Sequence, residues 1–181
     1  MSSWAAIAKR IRVPLGFVFA AIYFWLARPT KMFLAIGVLI AAVGLFVRAL
    51  ASGHVKKNEA LTTTGPYAYV RNPLYLGSLV TALGFVIASR NVWIGVLMLF
   101  IFILIYLPVI RAEETFLRNQ FPEFRDYEQN VPRLFPAFKS SSQQQGLFSW
   151  DLYWKHREYN AVLGAVLMIA ALAVKMICLK R

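Results

Sequence analysis

Five apolar runs constrain this sequence more than any other feature. They cover residues 13–27, 32–47, 74–89, 92–110 and 161–174. A helix needs roughly 20 apolar residues to cross a bilayer, and aromatic residues such as Trp4 and Trp25 extend shorter runs at the interfaces. With 59% hydrophobic residues, the 181-residue chain has more apolar surface than a soluble fold can bury. We therefore predict an all-α, polytopic membrane protein with about five transmembrane helices.

The spacing of the runs predicts one membrane domain, residues 1–181, in three parts. Residues 1–50 form a helical hairpin, or alternatively a re-entrant pair, because only residues 28–31 separate the two runs. Residues 61–138 contain the second hairpin and the motifs discussed below. Residues 139–181 comprise a flexible linker at Ser140–Gln145, an aromatic and charged segment at Trp150–Tyr159, and the last span. That segment suits an interfacial helix, which either anchors the chain or gates substrate entry.

The net charge of +12 is spread over short segments between the apolar runs, and does not form one dense patch. This distribution favours membrane lipids over nucleic acid as the partner. Most Lys and Arg residues lie in the N-terminus and in the polar regions 48–72 and 111–160. The positive-inside bias therefore predicts a multi-pass protein of the cell membrane, with the N-terminus and both long polar regions in the cytosol.

The segment from Gly65 to Gly77 combines helix-start and ligand-binding signals. Asn72 suits an N-cap and Pro73 the first helical position, so the third helix should begin here. Free backbone N–H groups in its first turn, together with Arg71, form a natural site for a carboxylate or phosphate. The alternative is a plain helix start whose arginine reaches lipid headgroups. Three tyrosines of the segment are candidates to stack on a planar base: Tyr67, Tyr69 and Tyr75.

Two further segments carry candidate residues. Glu113 and Glu114 continue the fourth helix beyond its apolar run, and the helical spacing predicts that Glu114 turns inward. The alternative is a solvated pair that exchanges partners with neighbouring arginines. Further along, the prolines at 132 and 136 stop helices and stiffen the loop that contains Arg133. The sequence has no Gly-x-Gly-x-x-Gly segment, no Walker loop and no His/Cys cluster, so neither a Rossmann cofactor loop nor a bound metal is expected.

Together these segments resemble the isoprenylcysteine carboxyl methyltransferase and phospholipid N-methyltransferase superfamily. The resemblance extends over roughly residues 61–136, with the order and spacing of the motifs kept. Three linked motifs are more specific than any one of them. They are Gly65-Pro66-Tyr67 with Arg71-Asn72-Pro73-Leu74-Tyr75-Leu76-Gly77, then Glu113-Glu114-x-x-Leu117, then Phe121 and Tyr127 with Val131-Pro132-Arg133.

In that superfamily the Arg-x-Pro-x-Tyr-x-Gly and Glu-Glu segments enclose S-adenosylmethionine, and the resemblance implies the same cofactor here. The implied cofactor-binding residues are Tyr67, Arg71, Asn72, Tyr75, Leu76, Gly77, Glu113, Glu114 and Pro132. The implied catalytic residues are Glu114, Tyr127 and Arg133. The prenylcysteine branch usually has histidine where this chain has Asn72, which leaves the acceptor open.

The resemblance implies methyl transfer to a lipid-like or isoprenoid-bearing hydrophobic acceptor, in a cytosolic cofactor pocket. The residue types suit S-adenosylmethionine: an arginine for its carboxylate, a glutamate for its ammonium or its adenine and ribose donors, and tyrosines for its adenine. A carboxylate acceptor needs no general base, whereas an amine acceptor needs one. Two other classes remain as alternatives: an NADPH-dependent membrane reductase, and a non-enzymatic membrane scaffold or transporter subunit.

Overall fold

The structure, a computed structural model, describes residues 3–56, 59–137 and 146–178. The described residues are predominantly helical and contain no β-strand, which confirms the all-α prediction. The predicted linker at Ser140–Gln145 lies outside them. The helices are α1 (Ser3–Leu26), α2 (Lys31–Ser52), α3 (Pro73–Ser89), α4 (Val92–Ile101), α5 (Leu107–Gln120), α6 (Phe124–Asn130), α7 (Trp150–Lys155) and α8 (Tyr159–Cys178), with a 3₁₀ turn at Gly65–Ala68.

Three helical stretches in the described part of the chain are long and apolar enough to cross a membrane: Lys31–Ser52, Val92–Gln120 and Tyr159–Cys178. The helix Pro73–Ser89 is apolar but has only 17 residues. Helix α1 has 24 residues and carries Lys9, Arg10 and Arg12 in its first half. These helices fit a membrane protein, while the number of about five crossings and the cytosolic orientation stay predictions.

Local sequence signals explain where α3 and α4 begin. Helix α3 starts at Pro73, as predicted, and the carbonyl of Asn72 accepts its first helical hydrogen bond from the Leu76 N–H at 3.0 Å. Helix α4 starts after Asn91, whose side-chain oxygen accepts the Trp93 N–H at 3.0 Å. The amide side chain thereby satisfies one of the donors that a helix start leaves open.

The stretch Val92–Gln120 is interrupted by a π-helical segment, Phe102–Tyr106, which joins α4 to α5. Pro108 follows this segment and has no N–H to donate to Leu104, four residues earlier. The indole Nε1–H of Trp4, in α1, donates to the Leu104 carbonyl at 2.9 Å instead. A carbonyl without a partner is costly in an apolar setting, so Trp4 compensates for the proline.

The chain groups into two compact units. The first comprises residues 1–41, 82–115 and 164–181, and its core contains Tyr23, Leu34, Ile94 and Leu172. The hydroxyl of Tyr23 donates to the Phe85 carbonyl at 2.9 Å within this core. The second unit comprises residues 42–81 and 116–163. The interpretation of residues 1–181 as a single membrane domain stays a prediction.

Candidate functional site

The site begins with a turn that only glycine suits. Gly65 has a φ of +60°, a left-handed conformation that residues with a Cβ rarely adopt. A Cβ at this position would also lie 2.5–2.8 Å from ring atoms of His54. The 3₁₀ turn that follows buries Tyr67, and the chain then buries Val70. The turn and these two buried residues thus fix the backbone of the first motif on the N-terminal side of Arg71.

Backbone and side-chain hydrogen bonds join the first motif to the third. The Arg71 N–H donates to the Pro132 carbonyl at 2.9 Å. The amide Nδ2 of Asn72 donates to the Arg133 carbonyl at 3.2 Å. Segments about 60 residues apart in the sequence, which were predicted independently as site components, therefore lie side by side in the second unit.

Tyr127 reinforces this junction. Its hydroxyl donates to the Tyr67 carbonyl at 2.7 Å, and its ring packs edge-on against Phe124, which is almost fully buried. After the prolines at 132 and 136, the Ala137 N–H donates to the Tyr69 carbonyl at 2.9 Å. Helix α6 stops at Asn130, as the proline at 132 predicted, and the loop after it is bonded to the first motif.

A single carboxylate lies between two arginines at the same place. Arg118 holds Glu128 with two hydrogen bonds, Nε to Oε1 at 3.0 Å and Nη2 to Oε2 at 2.6 Å. Nη1 of Arg71 lies 3.3 Å from the same Oε2, and the Arg71 side chain is only 11% exposed. The hydrogen bond from Arg118 and the charges of both guanidinium groups hold the pKa of Glu128 below its ordinary value, although partial burial opposes them.

Helix α3 uses different faces for packing and for the predicted site. Gly77 is buried, and a Cβ there would lie 2.6 Å from Arg48 Cγ and 2.7 Å from the Gly44 carbonyl oxygen. Gly77 therefore permits close approach of α2. Tyr75 and Leu76 point to other sides of the helix and are half-buried. Contact between the cofactor and Tyr75, Leu76 or Gly77 stays a prediction.

The packing face of α3 also meets a buried ion pair. Nε of Arg48 lies 2.5 Å from Oε1 of Glu158, and these side chains are 24% and 10% exposed. The same guanidinium donates to the Ser78 hydroxyl and lies 3.5 Å from the Leu74 carbonyl. This ion pair therefore links Arg48 in α2 to the first turns of α3 and to Glu158, the residue before α8.

Glu113 and Glu114 lie on α5 in the first unit. Glu114 is only 3% exposed, which confirms the prediction that it turns inward, and Glu113 is half-buried. The alternative of a solvated pair is therefore wrong for Glu114. A carboxylate this deeply buried requires partners that offset its desolvation, and both glutamates have polar interactions.

Four charged residues of this region were not identified from the sequence as site components: Arg48, Arg118, Glu128 and Glu158. Arg118 was considered as a partner of the paired glutamates, but in the structure it binds Glu128. Glu128 offered one weak signal, because it follows Tyr127 in the third motif. Arg48 and Glu158 could have been identified only as charged residues beside apolar runs, which generally need partners.

The chemistry of this donor set favours a singly charged anion. Two guanidinium groups and one carboxylate leave one net positive charge beside the start of α3, where the helix dipole adds to it. Tyr75, in the first turn of α3, is half-buried and adds an aromatic ring. These groups fit the carboxylate and the adenine of S-adenosylmethionine.

Comparison with known proteins identifies a family and two relatives. The phospholipid methyltransferase family matches residues 15–123. The cobalt-zinc-cadmium resistance protein CzcN of Cupriavidus metallidurans is 32% identical over 151 residues, which cover 78% of this chain and 68% of that protein. The nickel-cobalt-cadmium resistance protein NccN of Alcaligenes xylosoxydans xylosoxydans is 37% identical over 111 residues, covering 59% of this chain and about half of the relative, 51%. No solved structure matches significantly.

Proposed function

Because the chain belongs to the phospholipid methyltransferase family, we propose that it transfers a methyl group from S-adenosylmethionine to a lipid-like acceptor at the cytosolic membrane face. The acceptor reaches the site from the bilayer, and the polar cofactor reaches it from the cytosol. Candidate membrane-spanning helices support the first part of this proposal, and the cationic site at residues 71–72 supports the second.

The observation that carries the proposal is the placement of Arg71. Its side chain is largely buried, at 11% exposure, at the start of α3, while its backbone N–H is bonded to the Pro132 carbonyl. A buried cation at a helix start is suited to a carboxylate, which accepts hydrogen bonds from the guanidinium and the first-turn N–H groups. We assign Arg71 and Asn72 to the carboxylate end of the cofactor.

The remaining residues receive roles from their chemistry. Tyr67, Tyr75 and Leu76 would line the adenine end, and Glu113 and Glu114 would accept hydrogen bonds from the ammonium or the adenine and ribose donors. When bound, S-adenosylmethionine would supply a methyl group activated by its positively charged sulfur, with S-adenosylhomocysteine as the leaving group. The protein's contribution would be positioning and the exclusion of water, because charge is neutralised with a carboxylate acceptor and dispersed with an amine acceptor as the methyl group moves.

Tyr127 and Glu114 differ as candidates for a general base. The Tyr127 hydroxyl donates a hydrogen bond to the Tyr67 carbonyl. We therefore assign Tyr127, with Pro132 and Arg133, to positioning the methyl acceptor. Glu114 carries a buried carboxylate, and we assign it the general-base role for an amine acceptor. A carboxylate acceptor would leave Glu114 with cofactor binding alone.

Binding calorimetry on the full chain in detergent tests the proposal. We expect S-adenosylhomocysteine to bind and NADPH to give no heat, since NADPH binding would favour a membrane reductase. Arg71→Ala should weaken S-adenosylhomocysteine binding by about tenfold or more, because a charge-assisted hydrogen bond is lost. The matched control is Arg125→Ala, which removes an exposed arginine of α6.

Two results would overturn the proposal. If the wild-type chain binds neither ligand, the protein is better described as a scaffold or transporter subunit. If Arg71→Ala and Glu114→Gln both bind S-adenosylhomocysteine as tightly as Glu123→Gln, an exposed-glutamate control, the site assignment is wrong.

A second candidate function comes from the two relatives, which are named as metal-resistance proteins. Within residues 3–56, 59–137 and 146–178, no group of three or more His, Cys, Asp or Glu side chains could hold a metal ion. We propose that any role of this chain in resistance depends on its methyl transfer. Complementation on cobalt, zinc or cadmium tests this: wild type and Arg125→Ala should restore growth, and rescue by Arg71→Ala would contradict the link.

A further inference from the structure

An exposed apolar surface lies just before the last candidate membrane span. Leu147, Trp150 and Trp154 are 90%, 66% and 58% exposed. Trp150 and Trp154 are four residues apart in α7 and therefore share one face of that helix. Large apolar side chains grouped in this way mark an interaction surface.

The opposite side of this segment is bonded to the end of α2, which fixes the outward direction of the tryptophans. The Ser149 N–H donates to the Gly53 carbonyl at 2.9 Å. Nδ1 of His156 lies 3.1 Å from the Ser52 carbonyl oxygen. The segment is therefore attached at both ends, and its exposed face is a stable feature of the second unit.

The surface is continuous with the candidate span. Helix α8 begins at Tyr159, and its ring centroid lies 5.3 Å from that of Trp154. Tryptophan and tyrosine concentrate at the level of the headgroups, where they combine an apolar ring with a polar atom. Arg157 is exposed beside them and is suited to headgroup phosphates, and Lys155 is exposed next to it in an ion pair with Glu59.

We propose that Leu147, Trp150 and Trp154 form a membrane-docking face that inserts into the headgroup region of the bilayer that α8 crosses. The occupant is a phospholipid surface with anionic headgroups. A second copy of the chain fits less well, because each copy carries a net charge of +12 and two copies therefore repel each other.

The side chain of His54 connects the segment before the docking face to the candidate site. Nε2 of His54 lies 3.2 Å from the Gly146 carbonyl oxygen, and the same ring contacts the Gly65 turn. Insertion of Trp150 and Trp154 therefore holds the first motif at the level of the headgroups, where a lipid acceptor presents its polar end. The docking itself does not require the methyl-transfer proposal to be correct.

Site-directed spin labelling tests the depth of this face. In a Cys178→Ser background, which removes the chain's one cysteine, Trp150→Cys and Trp154→Cys are labelled separately in full-length protein. The protein is reconstituted in phosphatidylcholine and phosphatidylglycerol vesicles. Asp126→Cys, on the exposed side of α6, gives the aqueous reference. Leu167→Cys, exposed at the middle of α8, gives the deep reference.

We expect labels at positions 150 and 154 to be more accessible to oxygen than to a polar nickel chelate, at a depth of roughly 5–10 Å into the headgroup and acyl boundary. Both should fall between the two references. Nickel accessibility equal to that of the position-126 label would overturn the proposal. Strong dipolar broadening between labels of neighbouring copies would also overturn it, because it would assign the face to a protein contact.

Discussion

Nη1 of Arg71 lies 3.3 Å from Oε2 of Glu128, a residue 57 positions later in the chain. Arg118 holds the same carboxylate more tightly, at 2.6 Å and 3.0 Å. Glu128 is therefore fixed mainly by Arg118, and it partly neutralises Arg71 without using all of the donors of that guanidinium. This arrangement keeps the second unit cationic beside α3 while preventing repulsion between the two arginines.

The first prediction concerns the pH dependence of this cluster. The pKa of Glu128 is lowered in the folded protein, so its ionised form stabilises the fold above the pKa of the unfolded chain, and that contribution is lost as the pH falls through the folded pKa. At neutral pH we expect Glu128→Gln to cost about 1 kcal/mol of unfolding free energy. Thermal unfolding should show that the difference from wild type shrinks as the pH falls below the ordinary pKa range of a glutamate and through the lowered pKa of Glu128.

Glu123→Gln is the control for this experiment, because Glu123 is an exposed residue at the start of the same helix. It should unfold like wild type throughout the pH range. A Glu128→Gln deficit that persists unchanged in acid would show that the side chain stabilises the protein by packing, and not by its charge.

The second prediction concerns the buried ion pair. Arg48→Met leaves the largely buried Glu158 carboxylate without this partner and should cost about 2 kcal/mol or more. Glu158→Gln should cost less, about 1 kcal/mol, because Arg48 is 24% exposed and keeps the Ser78 hydroxyl as a partner. The double variant should cost clearly less than the sum, as measured by denaturant unfolding in detergent. Lys155→Met tests the exposed pair with Glu59, whose side chains are 64% and 60% exposed, and should be nearly neutral. Additive costs for Arg48 and Glu158 would refute the coupling.

The third prediction concerns Trp4 and Pro108. Trp4→Phe removes the donor to the Leu104 carbonyl and should lower stability by about 1 kcal/mol. Pro108→Ala restores a backbone N–H in the helix, so Trp4→Phe should cost much less in that background. Trp25→Phe, at a position that is 83% exposed, is the control for loss of an indole. An equal cost of Trp4→Phe in both backgrounds would contradict the compensation.

The fourth prediction concerns the close approach of α2 and α3. Gly77→Ala places a Cβ within 2.7 Å of the Gly44 carbonyl oxygen, so it should destabilise the protein by about 1–3 kcal/mol. Gly164→Ala, in α8, has no heavy atom within 4 Å of the new Cβ and should be tolerated. Thermal unfolding of both variants measures the contrast, and equal stability would show that the helices can move apart freely.

The features that depend on residues close together in the sequence were predicted best. Asn72 and Pro73 located the start of α3. Helical spacing placed Glu114 inside, since the repeat of a helix determines which face a residue shares with its apolar neighbours. The extents of the helices were predicted less well, because α1 begins at Ser3 and includes the basic residues before the first apolar run. Polar side chains do not stop a helix whose backbone hydrogen bonds continue.

The pairing of Arg48 with Glu158 could not be predicted, because the two residues are distant in sequence. Arg48 and Glu158 are 110 positions apart, and any of several acids was an equally plausible partner for Arg48 until the fold brought Glu158 to it. The close approach of Gly77 to Gly44 and Arg48 was not predicted either, while the predicted contact of Gly77 with the cofactor stays a prediction. Such close approaches depend on which helices are neighbours, which apolar patterns alone leave undetermined.

Methyl transfer itself gives the most direct test of the account. Membranes that contain the wild-type chain, Arg71→Ala or Arg125→Ala are incubated with S-adenosylmethionine carrying a deuterated methyl group, and the extracted lipids are analysed by mass spectrometry. We predict a lipid with the mass increment of one labelled methyl group from wild type and Arg125→Ala, and at least about a tenfold loss from Arg71→Ala. Absence of a labelled lipid from wild-type membranes, or equal labelling by all three proteins, would contradict it.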